Sequence, residues 1–322
     1  MRATENKLIS NSKKVLVIGF RSIFEIPYIA ALRPHQWTKN LVVFAAPLFA
    51  FSINWQTFLG SLLAFSLFCF TSSSFYLIND LVDIESDRRH PVKCKRPIAA
   101  GLVSIPAAAS MALILMAGTL TVSWSHSLAL GAVITGYIIL QIAYNLKLKR
   151  VPILDIAAIA TGFILRAISG AAANELPLSV WFVLCTAMLA LFLGIEKRKA
   201  ELRLLQIGMG KTRSVLKRYS LPLLTRMEST VTTSTIMSYA LWSSGPVVEG
   251  ASTPWMLLTL PFVMYGIFRY QLLSDTAGRE AQNSSTERPE EILLKDRHIL
   301  FTVVAWGGAI FIILLIHEKG LI

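Results

Sequence analysis

Apolar runs long enough to cross a bilayer recur along most of the chain, broken by short polar segments. A hydrocarbon core takes about 20 helical residues, and on that measure nine candidate spans emerge. The first covers Asn40 to Ile53, with an earlier start near Ile26. The next four cover Phe58 to Val82, Ile105 to Trp124, Leu128 to Leu146 and Ile153 to Ala173. The last four cover Leu178 to Gly194, Leu224 to Trp242, Pro254 to Tyr270 and Ile299 to Ile316, the seventh being the most polar. No linker or short-period repeat divides the chain. The pattern predicts an all-α polytopic membrane protein, with residues 1–322 forming one integral-membrane domain. Ahead of the spans, Val15 to Phe20 is too short for the core of a signal peptide, and no small-residue cleavage site follows it. Residues 10–30 read as a surface helix or the lead-in to the first span.

The connecting segments alternate in charge. Arg88, Arg89, Lys93, Lys95 and Arg96 follow span two, and Lys147, Lys149 and Arg150 follow span four. Eight more cations, from Lys197 to Arg218, follow span six, and Arg279, Arg288, Lys295 and Arg297 follow span eight. The intervening segments around Asn54, His126, Glu175 and Glu249 hold no Lys or Arg. Positive charge marks cytoplasmic loops. The alternation therefore predicts a cytoplasmic N-terminal segment (residues 1–25), nine crossings of the plasma membrane and an outer C-terminus.

Composition agrees. Of the residues, 54% are hydrophobic and 16% charged, with a mean hydropathy of +0.58, against about a quarter charged in soluble domains. The net charge of +12 is explained by membrane topology. The basic segments lack the interleaved aromatics of a nucleic-acid surface, so nucleic acid is not an expected partner. Three cysteines and five histidines show no disulfide or zinc-ligand spacing. Metal chemistry in this chain must use oxygen ligands.

The run Asn79-Asp80-Leu81-Val82-Asp83-Ile84-Glu85-Ser86-Asp87 closes span two. On a helix its spacings of three and four put Asn79, Asp80, Asp83 and Asp87 on one face. Converging carboxylates repel one another unless a cation compensates. Hard oxygen ligands suit Mg²⁺, which commonly joins carboxylates to substrate phosphates. Three isolated acids would read as an ordinary solvated helix end. Here Arg88, Arg89, Lys93, Lys95 and Arg96 follow at once, with Pro91 and Pro97 stiffening the loop. Metal-binding acids beside phosphate-binding cations suit a diphosphate leaving group.

From Asn79 to Gly101 the chain resembles the first aspartate-rich motif of the UbiA superfamily of intramembrane prenyltransferases: an Asn-Asp pair, two further aspartates, a His-Pro, a Lys and Arg96-Pro97-Ile98-Ala99-Ala100-Gly101. Five further segments are similar to the branch containing decaprenyl-phosphate phosphoribosyltransferases. They are Leu32 to Asn40, Tyr144 to Lys147, Leu154 to Ile156, Leu165 to Gly170, and Lys197 to Leu202. The resemblance implies a nine-helix bundle around a central cavity open to cytoplasm and bilayer. It implies Mg²⁺-dependent transfer of 5-phosphoribosyl from phosphoribosyl diphosphate to a polyprenyl phosphate. Asp80, Asp83 and Asp87 are then catalytic and, with Asn79, hold Mg²⁺. Lys39, Asn79, Tyr144, Lys93, Arg96, Lys147, Asp155, Arg166, Lys197 and Arg198 bind substrate. A homo-oligomer stays open. Typical aromatic prenyltransferases carry a second cluster of aspartates, and only Asp155 stands in that region here.

The individual side chains admit plainer roles too. Arg166 lies about three turns into span five, where it takes either a partner such as Asp155 or an anion. Lys197 and Glu201 are spaced as a helix-surface pair. Lys39 has a snorkelling role open to it. Asp155 serves either a ribose hydroxyl or a metal. Two alternatives for the whole chain are prenyl transfer from a diphosphate to an aromatic acceptor, and a transporter with Asp155 and Arg166 as coupling charges. Gly208-Met209-Gly210-Lys211-Thr212 resembles the end of a P-loop but lacks its first Gly, Leu205 standing there.

Overall fold

A computed structural model describes residues 26–50, 52–206, 214–246, 250–279 and 296–320. The N-terminal segment to residue 25, the P-loop-like run and residues 280–295 lie outside the described residues. The described residues are helical throughout their regular structure. Seven of their helices are long and apolar enough to cross a membrane, so the chain is a multi-pass membrane protein.

The first predicted span is not one helix. It consists of α1 (Pro27–Ala31), a 3-10 stretch (Pro34–Phe44) and α2 (Ala45–Phe49). Arg33 adopts a left-handed φ of 55° directly ahead of Pro34, which ends regular helix there. Next, α3 (Trp55–Val82) starts on a reciprocal cap. Asn54 Oδ1 accepts from the Thr57 N–H at 2.9 Å and Thr57 Oγ1 accepts from the Asn54 N–H at 3.1 Å, satisfying two donors that a helix start otherwise leaves open. A short α4 (Ile84–Arg88) follows. Then come α5 (Ile105–His126), α6 (Leu128–Leu146), α7 (Leu154–Ala172) and α8 (Val180–Gln206). The chain ends in α9 (Leu221–Ser243), α10 (Leu260–Arg279) and α11 (Arg297–Glu318).

Two elements depart from the hydropathy pattern for physical reasons. The sixth span was expected to stop at Gly194, yet α8 runs on to Gln206. Its charged extension is buried and paired with its neighbours instead of lying in a loop. The seventh, α9, forms as expected but is too polar to count among the seven apolar helices. Its hydroxyls bond back to their own helix, Ser229 to the Thr225 carbonyl, Thr230 to Arg226 and Thr233 to Ser229, each at 3.0–3.1 Å. That lowers the cost of polarity along a helix.

The chain falls into two compact units. The first draws on the stretch to Asn40 and on Ser66–Gly131. Its core joins Ala31, Leu77, Ile98, Val103, Ala108 and Ala112. Ile98 and Val103 belong to the loop after α4, so that loop is a packed element. Hydroxyls of α3 tighten the unit: Ser73 donates to the Leu32 carbonyl at 2.8 Å and Ser74 to the Ala112 carbonyl at 2.7 Å. The second unit comprises Leu41–Phe65 and the chain from Ala132 onward. Here α8 packs along both α7 and α9. Gly170 permits close approach of the first segment to α7, since a Cβ there would stand 2.0 Å from the Val43 carbonyl oxygen. A core of Ile156, Ile195, Leu202, Val215, Leu216, Tyr219 and Leu224 gathers where α7, α8 and α9 carry their charged residues.

Candidate active site

In the first unit, helical hydrogen bonding runs on from the end of α3 into α4. The Asp83 N–H bonds the Asn79 carbonyl at 2.9 Å and the Asp87 N–H bonds the Asp83 carbonyl at 2.8 Å. The common face expected from the spacing therefore holds for Asp80 and Asp87 but not for Asp83, whose backbone (φ −91°, ψ 6°) leaves the helix at the junction and whose side chain is exposed. Asp80 and Asp87 are buried, at 4% and 0% exposure, and both meet Arg96. Arg96 Nη1 lies 2.9 Å from Asp80 Oδ1 and also bonds Asp87 Oδ2. Lys93 Nζ lies 3.1 Å from Asp87 Oδ1, and Arg33 Nη2 lies 2.5 Å from Asp80 Oδ1. Arg33 also covers the Tyr76 ring, 4.8 Å from its centroid.

Two buried carboxylates are thus held by three cations. Asp83 faces outward, and among the described residues no ion pair or hydrogen bond reaches its carboxylate. Asn79 is half-buried on the last turn of α3. His90 Nδ1 accepts from the backbone N–H groups of Val92 and Lys93 at 3.2 and 3.3 Å, which shapes the loop and leaves that nitrogen engaged. Burial pushes the Asp87 carboxyl up, but the close approach of the Lys93 and Arg96 cations outweighs it and holds the group below its ordinary value.

The donor set suits a hard cation. Asp80, Asp83 and Asp87 supply carboxylate oxygens, and buried Asp87 Oδ1 makes no hydrogen bond, only its ionic contact with Lys93. In the arrangement described, cations occupy Asp80 and Asp87. Among the described residues no three acidic, His or Cys side chains converge as a ready-made metal cage.

A second cluster forms in the second unit. Asp155, in the first turn of α7, is fully buried. Its Oδ2 accepts from Arg198 Nε at 2.7 Å, and its Oδ1 accepts from the Tyr219 hydroxyl at 2.7 Å. Arg198, also fully buried, further bonds Glu201 and lies 3.4 Å from the Tyr144 hydroxyl. Both oxygens of Asp155 are therefore taken, and its partner is Arg198 on the next helix instead of Arg166. Arg198, expected to bind substrate, is enclosed by three side chains and orders them. Tyr219 also accepts from the Ile153 N–H at 2.6 Å. Burial and neighbouring Asp155 push this phenol up to about 12, so it stays a donor. Ile153 itself has φ 70°, ψ −49°, a conformation that costs a β-branched residue roughly 1–3 kcal/mol.

The other expected residues are placed separately. Arg166 is buried in mid-helix, donating to the Tyr137 hydroxyl at 2.7 Å and to the Gly162 carbonyl at 2.8 Å. Asp155 stands eleven positions earlier, about 16 Å along the helix, too far for the two to pair. Lys147 is exposed beyond α6, Lys197 is half-buried on α8, and Lys39 is half-buried on the 3-10 stretch.

Sequence reasoning missed Arg33, Tyr219 and a buried network across α8, α9 and α10. In that network Lys199 bonds Glu196 at 2.8 Å and also Glu228, Gln271 bonds Glu228 at 2.7 Å, and Ser274 bonds Glu196. Arg33 had a signal, a cation just ahead of Pro34 in a segment already singled out. Apart from the i, i+3 pair Glu196–Lys199, the other contacts span 29 to 78 residues and carry no local signature.

Residues 40–287 match the profile of the UbiA prenyltransferase family. The chain is 37% identical over 295 residues to a decaprenyl-phosphate phosphoribosyltransferase of Mycolicibacterium smegmatis, covering 88% of this chain and 90% of that one. It is 33% identical over 284 residues to a protein of the same name from Mycobacterium tuberculosis, covering 86% and 91%. A solved UbiA homolog from Archaeoglobus fulgidus, bound to GPP and Mg²⁺, superposes with a TM-score of 0.63 at 18% identity, covering 88% of this chain and 99% of that one. This last likeness concerns the fold.

Proposed function

The chain belongs to the UbiA prenyltransferase family, and from that premise we propose that it transfers 5-phosphoribosyl from phosphoribosyl diphosphate to a polyprenyl phosphate, decaprenyl phosphate in the named relatives. In this reading the whole chain acts as one transferase domain, with its acidic motif on the cytoplasmic side where the soluble donor is available. The observation that carries the chemistry is the pair of buried carboxylates held by Arg33, Lys93 and Arg96. The choice of donor rests on relatives matched over nine-tenths of their length.

Asp80, Asp83 and Asp87, with Asn79, would hold Mg²⁺, which when bound screens the diphosphate and makes it a better leaving group. Arg96 has five donors in a planar fork, so it can keep Asp87 and still reach a phosphate oxygen. Arg33 and Lys93 are poised in the same way. As the C1–O bond breaks, negative charge grows on the diphosphate, and each pre-aligned cation contributes about 3 kcal/mol to stabilising it. C1 gains oxocarbenium character, and an oxygen of the lipid phosphate forms the new bond. That nucleophile is already an anion, so the chain needs no strong general base. Asp155 serves as the buried anchor of Arg198 and Tyr219, while Lys147, Arg166 and Lys197 supply cations for the lipid-borne and ribose phosphates.

The test uses purified protein with Mg²⁺ and phosphoribosyl diphosphate. Diphosphate release that requires added polyprenyl phosphate supports the reading. Release that requires a prenyl diphosphate and an aromatic acceptor instead overturns it.

A further inference from the structure

The turn joining α6 to α7 carries Lys147, Lys149 and Arg150 and ends at Ile153. Among the described residues none of these three cations has an ion-pair partner. Lys147 and Arg150 are exposed and Lys149 is half-buried, so they are presented for an outside anion. The turn that carries them ends in a backbone conformation that the sequence does not favour. Ile153 is a β-branched residue at positive φ, which is a genuine outlier for such side chains. Its own side chain is 62% exposed and cannot hold the turn by packing.

One side chain does hold it. The Tyr219 hydroxyl accepts from the Ile153 N–H at 2.6 Å and donates to Asp155 Oδ1 at 2.7 Å. Tyr219 is buried, and it directly follows the 3-10 turn Ser214–Arg218, which packs against the 3-10 turn Leu148–Arg150. Val215 and Leu216 anchor that support in the core.

We infer that Tyr219 is a positioning residue for phosphate binding: it pins the strained Ile153 turn to Asp155 and so fixes Lys147, Lys149 and Arg150 for a phosphate group of the substrate. A phenylalanine would keep the packing and lose both hydrogen bonds. The Ile153 amide would then have no acceptor, and the turn would relax away from positive φ. Glycine at 153 tolerates positive φ without that bond. The inference rests on the proposed transfer reaction for its kinetic consequence but not for its structural one.

The experiment compares wild type, Tyr219→Phe, Ile153→Gly and the double variant, all as full-length purified protein. Hydrogen exchange without substrate is read first, and Tyr219→Phe should speed exchange in the peptide covering residues 147–155. With substrates, Tyr219→Phe should raise the KM for phosphoribosyl diphosphate about tenfold, the scale of one lost hydrogen bond to a charged group, with kcat little changed. A general loss of folded protein would lower kcat and spare KM. Adding Ile153→Gly should bring KM back toward wild type. Unchanged exchange in Tyr219→Phe overturns the inference whatever the enzyme's reaction proves to be. An unchanged KM, or no recovery in the double variant, overturns it as well. Absence of turnover in wild type would instead refute the proposed reaction and leave the exchange result to decide the role of Tyr219.

Discussion

Asp83 and Asp87 stand four residues apart and differ in one physical respect that separates metal binding from folding. Asp87 is fully buried and bonded to Lys93 and Arg96. Removing its charge leaves both cations short of a partner. Breaking a buried pair typically costs 3–5 kcal/mol. Here the cations are about a quarter exposed, and Arg96 keeps Asp80, so the cost of Asp87→Asn should lie near about 3 kcal/mol. Asp83 is exposed and caps nothing, for its side chain makes no bond to the start of α4. Asp83→Asn should change stability by less than about 0.5 kcal/mol. If Asp83 helps hold Mg²⁺ on the diphosphate, the same substitution should lower kcat/KM by about 10²–10³-fold, or about 3–4 kcal/mol of transition-state stabilisation. The assay pairs thermal unfolding with diphosphate release for both variants in one detergent. Wild-type turnover in Asp83→Asn would remove this carboxylate from the metal site. A loss of stability in Asp83→Asn equal to that of Asp87→Asn would refute the separation itself.

Three further outcomes follow from the same geometry. Lys199→Met leaves Glu196 and Glu228 buried without their shared cation, so thermal unfolding should register a loss of about 3 kcal/mol, and an unchanged midpoint would contradict the role given to that network. Because the folded state holds Asp87 below the ordinary carboxyl value, its stabilising contribution is fully present above about pH 4 and is lost as pH falls below that; the acid limb of a stability–pH profile should flatten in Asp87→Asn. Chelation with EDTA should abolish diphosphate release while leaving the thermal midpoint within a few degrees, and added Mg²⁺ should restore turnover.

Much of the membrane scaffold was legible because length and hydropathy act locally. The helix at Leu128–Leu146 ends where the apolar run ends. The acidic motif was legible in part: the seven-residue spacing brings Asp80 and Asp87 to Arg96 across the α3–α4 junction, whereas the break at Asp83 turns that side chain outward. Where helix ends depend on partners far along the chain, the pattern failed. The charges of α8 look like a loop until Glu196, Arg198 and Lys199 are paired with side chains 29 to 78 residues away. The first span looks continuous because hydropathy does not register the left-handed Arg33. Tyr219 was invisible for the same reason as its partners: 64 residues separate it from Asp155, and a tyrosine beside a helix start has an ordinary local setting.

The central claim is the identity of the group transferred, and mass analysis of the lipid product tests it most directly. Incubated with Mg²⁺, phosphoribosyl diphosphate and decaprenyl phosphate, the protein should convert the lipid to a species heavier by one phosphoribosyl group. It should leave a mixture of prenyl diphosphate and aromatic acceptor untouched. An unmodified lipid phosphate alongside a prenylated aromatic product would contradict the account.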